Sequence, residues 1–162
     1  MLQIREATPA DIEDLVRYNR AIAQETEGKD LDEATVLRGV TAVFGDRTKG
    51  RYLVAEQDGK VVGQLMLTTE WSDWRNGWYW WIQSVYVTKS ARGNGVFRAL
   101  YTEVERQAQA DPEVIGLRLY VEHENAAARA TYARLGMEEE PYLLCGLYPL
   151  PGRTSAYRPV DS

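Results

Sequence analysis

The chain has 162 residues, 44% hydrophobic and 27% charged, which is enough for one domain with its own core. A formal net charge of −5 excludes a basic nucleic-acid footprint and mildly favours cationic partners, amines among them. One cysteine, Cys145, excludes an internal disulfide and a thiolate zinc cluster, no metal site is expected, and no apolar run approaches membrane-spanning length. The opening residues 1–6 carry charge where a signal peptide would need an apolar core, so the expected compartment is cytoplasmic.

In chain order, residues 2–7 read as a short strand. Thr8 can cap a helix and Pro9 fits its first position, after which Ile12, Leu15, Val16, Ile22 and Ala23 recur at helical spacing. A second helix is expected over 32–44, with Val36, Leu37, Val40 and Val43 inward. Strands over 51–57 and 60–69 meet at Asp58-Gly59, a hairpin signal. Residues 71–77 read as a loop and 78–87 as a long aromatic, β-branched strand. Past a two-glycine turn, Val96, Ala99, Leu100, Val104 and Ala108 form an apolar helical stripe, ended by Asp111-Pro112. Residues 115–121 read as a buried strand. Asn125 caps a further helix, Gly136 takes its left-handed C-terminal position, and 137–148 is expected to close the sheet as a strand or hairpin. The expected fold is therefore α/β: one mixed sheet with helices on both faces, in a single domain over 1–162 with a loop-like tail from 149 marked by Pro149, Pro151, Gly152 and Pro159.

The joint from Val85 to Leu100 is the most informative stretch. A strand ends, a short turn carries Gly93 and Gly95, and a helix begins at once. Backbone N–H groups then converge at the positive end of the helix, a place for a phosphate-bearing ligand, with Arg92 and Arg98 beside it. A dinucleotide fingerprint would need a third glycine where Arg98 stands, and a P-loop would need Gly-Lys-Ser/Thr, which is missing.

Arg92-Gly93-Asn94-Gly95-Val96-Phe97 resembles the coenzyme A diphosphate loop of GNAT-type N-acetyltransferases, Gln/Arg-x-x-Gly-x-Gly/Ala; Phe97 departs from it. The segment from Asn125 through Tyr132 to Gly136-Met137 is similar to the family's Asn-x-x-Ala-x-x-x-Tyr-x-x-x-Gly-Phe, with Met137 replacing Phe. Residues 4–11 and 117–121 resemble the family's opening strand with its helix cap and its fifth strand, so the likeness covers nearly the whole chain.

The resemblance implies a mostly antiparallel sheet splayed between strands four and five, with acetyl-CoA as co-substrate. It maps the pantetheine arm to the backbone of Val85, Tyr86 and Val87, the diphosphate to the amides of Gly93, Asn94, Gly95, Val96, Phe97 and Arg98 beside Arg92, and a further contact to Asn125. Tyr132, two helical turns after Asn125, matches the family's general acid for the departing thiolate. Many relatives carry a base on the fourth strand, but Trp80-Trp81-Ile82-Gln83-Ser84 holds no carboxylate. Glu70 is then the first candidate, ahead of Asp73, Glu122, the sole histidine His123 and a water chain. Glu25 and Glu27 at the first helix end, with Trp71 and Trp74, are candidates for an amine-binding wall. Alternation sends Trp78 and Trp80 to one sheet face and Trp81 to the other. Tyr142, Tyr148 and Tyr157 stand in the same position as the tryptophans, between core, pocket and interface. Cys145, in an apolar run read as a strand, is a poor acyl carrier.

The function that follows is direct transfer of an acetyl group from acetyl-CoA to an amine, whether a small amine, a polyamine, or a lysine or N-terminal amine. The alternative is an acyl-CoA-binding regulatory module with little catalysis. Neither nucleic acid nor membrane is an expected partner, and a homodimer is consistent with the resemblance.

Overall fold

The structure, a computed structural model, describes residues 1–155. The chain divides into two compact units, one over residues 1–118 and one over 119–155. Strand β1 (Leu2–Glu6) leads through a 3-10 turn at Pro9–Asp11 into α1 (Ile12–Glu27) and α2 (Glu33–Gly45). Strands β2 (Arg51–Gln57), β3 (Lys60–Ser72) and β4 (Gly77–Val87) follow, then α3 (Val96–Ala110), β5 (Val114–Leu119) and α4 (Ala126–Arg134).

Local chemistry sets the ends. The Asp11 carboxylate, 5% exposed, accepts from the Thr8 N–H at 2.7 Å and from both terminal nitrogens of Arg5 at 2.8 and 2.9 Å, which pins the start of α1 to β1. That hydrogen-bonded guanidinium holds the carboxyl below its usual range. Gly28 ends α1 at φ +63, a conformation that favours glycine, and Asp32 caps α2 by accepting from the Thr35 N–H at 2.9 Å.

The sheet order is β1-β2-β3-β4-β5. The first three pairings are antiparallel. The Trp78 N–H donates to the Glu113 carbonyl at 2.8 Å, and Arg118 lies over the Tyr79 ring, so residue numbers climb together and β4–β5 is parallel. Alternation along β2 and β3 sorts the core. Tyr52 and Val54 pack with Leu15, Val16, Val40 and Val43 of α1 and α2. On the other face a Cβ on Gly63 would sit 2.9 Å from Val96 and 3.5 Å from Leu100, so this glycine lets α3 press on the sheet. Leu15, Leu53, Leu65 and Leu100 are fully buried, each contributing roughly 2 kcal/mol of transfer free energy.

The second unit rests on local bonds. The Asn125 side chain caps α4 by accepting from the Ala128 N–H at 3.1 Å. At the other end Gly136 is left-handed (φ +88), the Met137 N–H reaches the Tyr132 carbonyl at 3.1 Å and the Gly136 N–H reaches that of Ala133 at 3.0 Å, a Schellman closure. Arg129 pairs with Glu139.

Several expectations need correction. The hairpin ladder extends to Ser72↔Gly77, so Trp71 is a strand residue, held edge-to-face on Trp78 across the ladder, and the turn shrinks to 73–76. Leu37 is 45% exposed, because the inward stripe of α2 runs through Val36, Val40 and Val43. β5 ends at Leu119 rather than 121. Residues 137–148 form no strand: a strand exists only where a ladder partner takes its N–H and C=O groups, and this stretch leaves Tyr142, Leu143, Leu144, Leu147 and Tyr148 exposed. Cys145 is therefore an exposed thiol outside any strand. Tyr157 and Pro159 lie outside the described residues.

Candidate active site

β4 does not run straight. Gln83 faces Met66 and Tyr86 faces Gln64, so Ser84 and Val85 together oppose Leu65 alone, a β-bulge. Ser84 takes φ +50, and its carbonyl accepts from the side-chain amide of Gln64 at 3.0 Å. β4 has eleven residues and β5 six, starting level, so β5 stops about level with Ile82. Val85, the second residue of the bulge, and Tyr86 and Val87 beyond it all lie past the end of β5.

β4 then delivers the chain to the glycine turn. Gly93 and Gly95 adopt φ +79 and +76, which L side chains rarely take, and a Cβ on either would meet nothing within 4 Å. The turn is therefore tight and faces open space. Gly95 occupies the N-cap of α3 and, being glycine, brings no capping side chain to the helix start. Asn94 and Arg98 are exposed, while Val96 is buried under the helix. The ring of Phe97 lies 6.3 Å from that of Tyr101, one helical turn on. Charge, geometry and open space fit a diphosphate.

Arg92 is committed to the protein. Its Nε donates to the Val87 carbonyl at 2.9 Å, and a terminal nitrogen meets Glu25 at 2.7 Å. Glu25 also lies 3.8 Å from Lys89 and accepts from the Tyr86 hydroxyl at 3.4 Å. The hydrogen bond from Arg92 is the main reason its carboxyl is held low. The structure thus places Glu25 at the glycine turn. Tyr86 stacks on Tyr18 of α1 at 4.9 Å, and burial raises its phenol.

A cavity of about 440 Å³ opens between α1, α2 and the sheet. Ile22, Val36, Glu27, Asn19, Tyr52 and Ser84 are among its walls, so it runs from the end of α1 to the β4 bulge. Glu27 is paired with Lys29 at 2.7 Å. Trp71 and Trp74 stand at the far end of the β3–β4 hairpin, Trp74 85% exposed in the turn.

Glu70 lies on β3 opposite Tyr79, four residues or about 13 Å along the strand from Met66 and the bulge. Its carboxylate accepts from Arg118 and from the Trp81 indole, each at 3.0 Å, and the Arg118 guanidinium sits 3.7 Å from the Tyr79 ring centre. In the second unit Asn125 and Tyr132 lie on the same helix. Burial raises the Tyr132 phenol above its ordinary pKa, so it stays protonated at neutral pH. Asp73, Glu122 and His123 are exposed. Among the described residues no group of three His, Cys, Asp or Glu could hold a metal, and no helix is long and apolar enough to cross a membrane.

Asn19, Tyr52 and Gln64 were not singled out from sequence, yet they line or floor the opening at Ser84. A signal existed for Gln64 alone: an amide inside a strand whose neighbours Gly63, Leu65 and Met66 are apolar on both faces.

Residues 13–137 match the family model of the acetyltransferase (GNAT) family. No curated protein matches the chain. A possible acetyltransferase from Clostridium difficile 630 is 43% identical and superimposes with a TM-score of 0.86, covering 93% of this chain and 99% of that one. A predicted acetyltransferase with acetyl-CoA from Clostridium acetobutylicum shares the fold at 17% identity (TM-score 0.74, 91% and 96% covered). So does a ribosomal-protein-alanine N-acetyltransferase from Brucella melitensis biovar Abortus 2308, at 16% identity (TM-score 0.71, 91% and 98% covered).

Proposed function

The chain belongs to the acetyltransferase (GNAT) family and is an acyltransferase; from that premise we propose that it is a single-domain N-acetyltransferase moving an acetyl group from acetyl-CoA to an amine. One observation carries the coenzyme assignment: left-handed Gly93 and Gly95 lead into α3, which has Gly95 as its N-cap, at the end of a bulged strand. The amides of residues 93–98 take the diphosphate, and exposed Arg98 adds charge. Arg92, tied to the Val87 carbonyl and Glu25, braces the turn. The backbone of Val85, Tyr86 and Val87 aligns the pantetheine arm, and an N–H there polarises the thioester carbonyl. Asn125 acts by fixing the start of the helix that carries Tyr132.

The acceptor enters the cavity between α1 and α2, with Glu27 at its wall, and its amine meets the carbonyl carbon near Ser84. The amine gives up a proton through solvent; its nitrogen bonds to the carbonyl carbon. As the carbon–sulfur bond breaks, Tyr132 donates its phenolic proton to the thiolate and regains one from water. Glu70, held by Arg118 and the Trp81 indole, anchors the β3–β4–β5 junction in this scheme. Trp71 and Trp74 remain outside the cavity and serve the hairpin.

A thiol-release assay with acetyl-CoA and a panel of amines tests this. Turnover with at least one amine, lowered strongly in Tyr132→Phe, is expected. Tight coenzyme binding with no turnover on any amine would establish the regulatory module instead.

A further inference from the structure

The bulge in β4 is held open by one buried amide. Gln64 is 0% exposed. Its Nε2 donates to the Ser84 carbonyl at 3.0 Å and to Asn19 Oδ1 at 3.3 Å. Asn19 Nδ2 in turn donates to the Tyr52 hydroxyl at 3.3 Å. The Ser84 carbonyl accepts only, so the atom facing it must be the amide nitrogen. That sets Asn19 with its oxygen toward Gln64 and its nitrogen toward Tyr52. The direction of the chain is thus dictated by Ser84, and four elements (α1, β2, β3 and β4) are tied to one carbonyl.

The arrangement has a cost. Gln64 Oε1 is buried with no hydrogen-bond partner. Leaving such an acceptor unpaired opposes folding, and an apolar side chain of the same shape would avoid it. The side chain therefore gains the protein nothing that methionine could not supply, except the bonds from its Nε2 to Asn19 and, the shorter of the two, to Ser84. Ser84 stands at φ +50 where the β3–β4 register shifts, and the residues after it in β4 take their register from that bulge.

We propose that Gln64 is a positioning residue for acetyl transfer: it holds the Ser84 bulge and so sets the backbone of Val85, Tyr86 and Val87 for the acyl-pantetheine arm. The inference rests on the function proposed above. It also separates two parts of the coenzyme site. The glycine turn, which takes the diphosphate, does not depend on Gln64; the strand that takes the thioester arm does.

The test is calorimetric titration of wild type and Gln64→Met with acetyl-CoA and, separately, with the nucleotide fragment of coenzyme A that ends at its diphosphate. Gln64→Met is expected to weaken acetyl-CoA binding about tenfold, the effect of one misaligned hydrogen-bonding edge, and to leave the fragment's affinity unchanged. Equal effects on both ligands, or no effect on either, would overturn the positioning role while leaving the transferase intact. Failure of wild type to bind acetyl-CoA would overturn the transferase reading itself. Should Gln64→Met not fold, Gln64→Glu decides. Its buried carboxyl can donate to the Ser84 carbonyl only when protonated, so acetyl-CoA affinity relative to the fragment should recover as pH falls from about 8 to about 6. A ratio that follows the wild-type pH profile would contradict the proposal.

Discussion

Residues 1–118 and residues 119–155 are stabilised in different ways. Every buried hydrophobic side chain among the described residues lies at or before Ala108, spread over both faces of the sheet. The second unit has none; it relies on the Asn125 cap, the Schellman closure at Gly136 and the Arg129–Glu139 pair. Hydrophobic burial is cooperative and rigid, whereas caps and exposed ion pairs contribute about 1 kcal/mol or less each. The groups assigned to hold the coenzyme are thus backbone atoms of a densely packed frame. The assigned proton donor, Tyr132, belongs to a locally stabilised segment, which leaves room for opening on a faster scale.

Breaking the first unit should cost most. Leu100→Ala, fully buried near Gly63, should lower unfolding free energy by about 4 kcal/mol in urea titration; a loss under 1 kcal/mol would mean that α3 is not part of the core. Asp11→Asn removes one of the two carboxylates paired with Arg5, Glu56 being the other, and should cost roughly 2 kcal/mol. Because the Asp11 carboxyl is held low when folded, its contribution is complete above the ordinary carboxylate pKa and vanishes as pH falls through the lowered folded value. Acid unfolding curves of wild type should therefore steepen in that window, and those of Asp11→Asn should be flatter there.

Tyr132→Phe sharpens the contrast from the other side. Turnover should fall about 100-fold while the melting temperature and acetyl-CoA affinity stay near wild type, measured by thiol release, thermal unfolding and calorimetry. A parallel collapse of stability would give Tyr132 a packing role instead. Asn125→Ala should have the smallest effect, about 1 kcal/mol, seen by hydrogen exchange as faster opening of α4 alone. Uniform acceleration across residues 1–118 would show that the two units unfold together.

The legibility of the sequence follows the same division. Where periodicity and caps agree, element type and bounds were readable: 51–57 is a strand to the residue, and Asp32, Asn125 and Gly136 end helices as expected. The glycine turn was readable because few backbones tolerate two left-handed residues beside a helix start. Trp71 was misplaced because an Asn-Gly turn signal does not say how far the ladder reaches toward it, and the Trp71–Trp78 contact decides that only in three dimensions. Residues 137–148 carry strand-like composition, but composition cannot supply a pairing partner. The Glu25–Arg92 contact spans 67 positions, and the chain from Gln64 through Asn19 to Tyr52 joins three elements, so neither leaves a mark at short range.

The most direct measurement is a crystal structure with acetyl-CoA bound. The account predicts the diphosphate on the main-chain amides of residues 93–98, with the thioester beside Val85 to Val87 and the Tyr132 hydroxyl at the sulfur. Coenzyme seated elsewhere on the chain, or a sulfur out of reach of that hydroxyl, would contradict it.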